Sequence, residues 1–242
     1  MNGLKQLGIQ QQDVQRCRLS SGCINCYAEK MTKRLQAMRL EKYQKGFEIA
    51  LHTDTLDSPF RWKKPRLIFV NSMSVLFHEK IPLDYIKQVF LVMNSCKHYV
   101  FQVITKRAER LFDVHHELNW TSNIWMGVSV ENQDCQYRVD LLQHINAQTK
   151  FLSIEPLLGS LPKSNLENID WTIVGGESGS GARTIKKDWV VDIKEQCEIS
   201  DTKFFFKQWG GVNIKKNGSL LDGKVYKEMP LYQEHSHSTL FS

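Results

Sequence analysis

The sequence predicts an α/β protein built on a partial parallel (β/α) barrel of about six strands. Two observations lead to a buried parallel sheet, as a barrel or an open doubly wound sheet, and the partial barrel is the reading taken. Six short apolar runs, rich in β-branched and aromatic residues, start about every 20–30 residues, the size of one βα unit, and each ends in polar residues. Stretches with helical spacing lie between several of them, and near-continuous apolar strands separated by helices mark a parallel sheet buried on both faces.

Leu67–Val70 runs into Asn71-Ser72-Met73-Ser74, and Tyr99–Ile104 into Thr105-Lys106-Arg107. Ile124–Val130 ends in Glu131-Asn132, and Phe151–Ile154 in Glu155-Pro156. Trp171–Val174 ends in Gly175-Gly176-Glu177-Ser178, and Phe204–Phe206 in Lys207-Gln208-Trp209. Ile86, Val89, Phe90 and Met93 follow the i, i+3, i+4, i+7 pattern of an amphipathic helix. Tyr137, Leu141, Leu142 and Ile145 make a second such face, and Trp189, Val190, Ile193 and Cys197 a third.

A chain of 242 residues that is 41% hydrophobic and 24% charged is neither a disordered tail nor a disulfide-dense miniprotein. Its apolar runs fall far short of the roughly 20 residues that cross a bilayer. The N-terminus lacks the charged start and apolar core of a signal peptide. The expectation is a cytoplasmic protein with no membrane partner. Ten basic residues against four acids between Lys30 and Arg66 carry the whole chain's excess of +6. Such a stretch suits nucleic acid or another anionic partner, or else a solvated helix face.

Parallel strands emerge with all their C-terminal ends on one face, and sites form there. Lys106 can grip a carboxylate or phosphate. Glu131, Glu155 and Glu177 each end a strand, where they suit hydrogen bonding to hydroxyls or ammonium. His78 is a candidate proton donor or a structural histidine. The glycine-rich 175–181 segment matches neither G-x-G-x-x-G nor the Walker pattern, which leaves a phosphate loop of another kind or a turn.

Cys96, Cys135 and Cys197 sit singly in apolar stretches and read as buried hydrophobes. Cys17, Cys23 and Cys26 cluster as C-R-L-S-S-G-C-I-N-C and read as a metal site. Three thiolates suit zinc or an iron–sulfur cluster. No histidine lies near to complete a closed zinc site, and a cubane held by three cysteines keeps one iron open.

The strings G-C-I-N-C-Y-A-E-K-M, V-N-S-M-S-V-L-F-H-E, I-T-K-R-A-E-R, G-V-S-V-E-N, F-L-S-I-E-P-L-L-G, V-G-G-E-S-G and F-F-F-K-Q-W-G together resemble one family. It is a family of unknown function borne by bacteria, phages and prophages and marked by three cysteines. It resembles in turn the radical S-adenosylmethionine (SAM) enzymes, most closely the spore photoproduct lyase branch. The resemblance implies a 4Fe–4S cluster on Cys17, Cys23 and Cys26, with SAM on the open iron. It implies Lys106 near the SAM carboxylate, Ser129 and Glu131 near its ribose, and Asn71 and Ser72 lining the same mouth. A 5′-deoxyadenosyl radical would then abstract hydrogen from a substrate, with nucleic acid or a nucleotide the favoured class and a reducing electron donor required. A non-catalytic zinc- or cluster-stabilised nucleic-acid-binding module, or a phage accessory protein acting through a protein partner, is the alternative.

Three departures from the radical SAM pattern stand out. Five residues separate Cys17 from Cys23 instead of three, Asn25 replaces the aromatic before the last cysteine, and the Gly-Gly-Glu element comes late, at Gly175–Glu177. The expected organisation is a divergent segment 1–16 that reads as a truncated or altered start, one domain 17–230, and a frayed tail 231–242.

Overall fold

The computed structural model describes residues 9–10, 20–25, 33–39, 50–51, 56–64, 66–70 and 76–232. Cys17, Cys26, Asn71 and Ser72 lie outside them. Within the N-terminal segment, β1 (Ile9–Gln10) pairs antiparallel with β2 (Ala50–Leu51).

The six apolar runs are the six strands of one sheet: β3 (Arg66–Val70), β4 (Tyr99–Thr105), β5 (Ile124–Ser129), β6 (Thr149–Ile154), β7 (Trp171–Gly175) and β8 (Lys203–Gln208). All neighbours are parallel and their spatial order is their order in the chain, β3 to β8. Every crossover therefore steps in one direction, and the sheet curls into half a barrel, as the sequence predicts.

Helices cover the outer face. In α1 (Leu83–Ser95) the residues Ile86, Val89, Phe90 and Met93 are all buried. The helix α2 (Ala108–Val114) buries Leu111, and α3 (Tyr137–Gln143) buries Val139 and Leu142. In α4 (Lys187–Ile199), Val190, Ile193 and Cys197 face the sheet. The β6–β7 crossover carries no helix, and Leu157, Leu161, Leu166 and Ile169 fill that part of the outer core. Cys96, Cys135 and Cys197 are buried, and burial raises each thiol, the last two to about 11.

The inner face has a core of its own. Val100, Trp125, Phe151 and Trp171 pack there, with Ile104, Ile173, Phe205 and Tyr232 against them. Trp171 is the hub, its ring 6.2 Å from Trp125, 5.9 Å from Phe151 and 5.9 Å from Phe205. Its indole N–H donates to the Glu228 carbonyl at 2.8 Å. The chain after β8 thus straps the N-terminal ends of the strands: Lys227 bridges Phe205, and Tyr232 Oη donates to the Lys97 carbonyl before β4 at 2.5 Å. Of the tail expected to be frayed, Leu231 is exposed and Tyr232 is held by the domain, and 233–242 lie outside the described residues. Among the described residues no helix is long and apolar enough to cross a membrane.

Phe151 fills the inner face because Gly127 beside it has no side chain; a Cβ there would lie 2.5 Å from the phenyl ring. Gly127→Val should therefore cost at least the 1–3 kcal/mol typical of overpacking. Urea unfolding checks this, with the midpoint falling and the slope unchanged.

Candidate functional site at the mouth of the half-barrel

Every polar strand end described arrives at one mouth, and the cysteine loop lies across it. Residues Ser21–Cys23 form a single 3-10 turn. Ser20 Oγ donates to Glu131 Oε1 at 2.7 Å and lies 3.7 Å from Cys23 Sγ. Lys106 Nζ, just past β4, is paired with Glu131 Oε1. The same ammonium lies 3.3 Å from Ser20 Oγ and 3.7 Å from Cys23 Sγ. From α3, Arg138 Nη1 donates to Glu131 Oε2 at 3.3 Å and to the Ser129 carbonyl at 2.8 Å. Gly22 is required by this approach, since a Cβ would stand 2.6 Å from Glu131 Oε1.

Glu131 is fully buried. Burial pushes its carboxyl up, but Lys106, Ser20 and Arg138 outweigh burial and hold it below its ordinary value. Burial alone would lower Lys106, and the charges of Glu131 and Cys23 raise it instead. Two cations on one carboxylate leave positive charge facing the sulfur.

A second buried carboxylate holds the other end of the loop. Glu177 Oε2 accepts Asn25 Nδ2 at 3.0 Å, Arg183 N at 2.9 Å and Arg183 Nε at 2.9 Å. Arg183 Nη2 reaches Oε1 at 2.5 Å, and Asn25 Nδ2 also reaches the Gly181 carbonyl at 3.1 Å. Burial again acts upward, and the Arg183 and Asn25 bonds outweigh it, holding Glu177 down to about 2.

The glycine-rich segment after β7 is a folded turn, and two of its glycine amides are spent within the protein. Gly176 N donates to the Gln208 carbonyl at 2.9 Å and Gly179 N to the Gly211 carbonyl at 3.1 Å. A Cβ on Gly176 would lie 2.0 Å from the Trp209 carbonyl oxygen. The third carboxylate, Glu155, pairs with Lys207 at 3.1 Å and lies 3.5 Å from Ser153 Oγ.

The structure therefore brings together Cys23, Lys106 and Glu131. Ser129 joins through its carbonyl, and Asn71, Ser72, Cys17 and Cys26 lie outside the described residues. His78 is buried with Nδ1 accepting from Lys80 N at 3.1 Å, the arrangement of a structural histidine. Sequence reasoning missed Ser20, Asn25, Arg138 and Arg183. Arg138 had a signal: with Leu142 and Ile145 it falls at i, i+4, i+7, a cation on an apolar stripe.

No three His, Cys, Asp or Glu side chains form a metal site among the described residues. The donor chemistry suits a thiolate-held group nonetheless. Cys23 Sγ is partly exposed at the mouth, with an ammonium and a hydroxyl beside it. A family profile described as "Protein of unknown function (DUF5131)" matches residues 13–230. The chain belongs to that family. Searches of the curated proteins and of the solved structures return no match.

Two outcomes follow for this DUF5131 chain. Glu131→Gln leaves Lys106 and Arg138 facing a neutral amide and should cost about 3–5 kcal/mol in urea unfolding. Glu177 falls from 4.5 to about 2 on folding, so its contribution is full above pH 4.5 and lost as pH drops towards 2. Between those limits the thermal midpoint should fall more steeply for the wild type than for Glu177→Gln.

Proposed function

We propose that the protein is a radical SAM-type iron–sulfur enzyme. The observation that carries this reading is the Cys23 thiol, held over the Lys106–Glu131 pair at the C-terminal mouth of a parallel half-barrel. In this reading Cys17, Cys23 and Cys26 would hold a 4Fe–4S cluster, with SAM bound beside it. When bound, the cluster would supply one-electron chemistry for the reductive cleavage of SAM, the electron coming from an external donor.

The chain's own residues bind and orient. Lys106 offers its ammonium to the SAM carboxylate, and Arg138 keeps Glu131 charged when Lys106 turns to that carboxylate. Ser20 Oγ already donates to Glu131 as a ribose hydroxyl would, which suits Glu131 to the ribose, and the resemblance adds Ser129. Asn71 and Ser72 line the same mouth in this reading. The aromatic inner core and the strap behind it hold the opposite end of the sheet together.

A nucleic acid or nucleotide is the favoured substrate class. Arg61, Lys63 and Lys64 of the basic stretch are exposed, beside Phe60 at 55% exposure. On the resemblance the enzyme is phage- or prophage-borne and cytoplasmic, and draws on a reducing electron donor.

The test is anaerobic purification, iron–sulfide reconstitution, metal analysis, and EPR of the reduced protein with and without SAM. A 4Fe–4S signal that shifts on adding SAM is expected, and Lys106→Ala should weaken SAM binding at least tenfold with the cluster retained. Zinc in place of iron, or a cluster blind to SAM, would overturn the radical reading in favour of a metal-stabilised nucleic-acid-binding module. SAM affinity unchanged in both Lys106→Ala and Glu131→Ala would overturn the assignment of the pocket.

A further inference from the structure

Deep in the inner face lies a polar side chain that the fold leaves unused. Gln102 sits in β4 between Val100 and Ile104, whose side chains share its face and belong to the aromatic inner core. It is 6% exposed, and its Nε2 is buried without a hydrogen-bond partner. An unmet buried amide donor is a cost to folding that a leucine at the same place would avoid. A side chain kept at such a cost is best explained by a ligand that meets it.

Its neighbours say what kind of ligand. Across the parallel ladder Gln102 is in register with Phe69 on β3 and with Trp125 on β5. Strands lie about 4.8 Å apart, so the amide is flanked by two aromatic side chains. Trp125 is 1% exposed and completes the floor, whereas Phe69 is only half-buried. Leu67, two residues earlier on the same face, is 41% exposed, and Ile104 is partly exposed. Apolar surface therefore remains accessible on the β3–β4 side of the concave face.

A carboxamide presents a donor and an acceptor side by side and pairs with the edge of a nucleobase through two hydrogen bonds. An aromatic ring beside it stacks on the face of the same base. The exposed cations Arg61, Lys63 and Lys64 immediately precede the strand that carries Phe69, and they suit the phosphates that a base brings with it.

We infer that the β3–β5 part of the concave face is a nucleobase-binding site, in which Gln102 reads the base edge and Phe69 stacks on the base. The inference deepens the proposed function by naming the substrate class, and it rests on that reading only for the base being that of the substrate. The adenine of SAM offers the same chemistry, so the test separates the two sources.

The experiment measures equilibrium binding of AMP, GMP, CMP, UMP, SAM and 12-mer single-stranded oligonucleotides to the full-length chain, wild type and Gln102→Leu. Thermal midpoints are recorded in parallel. The wild type should bind at least one nucleotide or oligonucleotide. Gln102→Leu should lose that affinity at least tenfold and leave SAM affinity unchanged, with a midpoint equal to or above wild type because no internal bond is removed. Phe69→Ala should weaken the same ligand and keep the preference among bases.

Unchanged nucleotide affinity in Gln102→Leu would overturn the inference, as would a midpoint lowered by several degrees, which would mean the amide is already satisfied. A loss confined to SAM would assign the base to the cofactor and overturn the substrate site. A wild type that binds neither nucleotides nor oligonucleotides would also overturn it, while the EPR response of the reconstituted cluster would still decide the proposed function separately.

Discussion

Glu131 has no access to water, and a buried carboxylate must be neutralised where it stands. Three parts of the chain meet that demand: Lys106 from the end of β4, Arg138 from α3 and Ser20 from the cysteine loop. The cost of burying the charge is offset only when all three are in place, so the ionic cluster fixes the loop to the sheet and the helix to the strand end. Gly22 makes the approach sterically feasible, and Cys23 inherits its position from it. At the loop's other end, Glu177 and Arg183 repeat the device with Asn25 as the guest.

That second anchor gives Asn25 and the Gly-Gly-Glu element after β7 one structural role. The asparagine amide is the group that Glu177 Oε2 and the Gly181 carbonyl accept from. Gly176 lets the same segment press against the Trp209 backbone. The Gly175–Glu177 element serves in the fold as an anchor for the cysteine loop, with Asn25 as its partner there.

The strands were legible in the sequence because burial on both faces leaves unbroken apolar runs, and the spacing of Ile86, Val89, Phe90 and Met93 named the inward face of α1. The mouth was legible in part. Lys106 and Glu131 stand out as charges at strand ends, and the sulfur of Cys23 does lie beside them. Arg183 and Ser20 were not legible, because a polar residue in a turn is ordinary and its partner is 6 residues away in one case and 111 in the other. Gln102 was hidden for a different reason: inside an apolar run a single glutamine shows no period, and that its amide lacks a partner is visible only once the inner face is assembled.

The inner face is packed unevenly, and the unevenness has a direction. On the β5–β7 side Gly127 gives its space to Phe151, Trp171 gathers the rings around it, and the strap ties the indole and Tyr232 in place. On the β3–β4 side Leu67 and Phe69 keep accessible surface, and Gln102 keeps an unmet donor. A face built for stability alone would close on both sides, since filling the second side with apolar atoms gains free energy and removes the orphaned amide. The packing instead concentrates at β5–β7, and β3 and β4 keep open surface on the same concave face. The loop anchored above by Glu131 and Glu177 places Cys23 at the C-terminal ends of the same strands. On the reading proposed above, a sulfur-held group at the mouth would stay fixed while a planar ligand enters from the β3–β4 side.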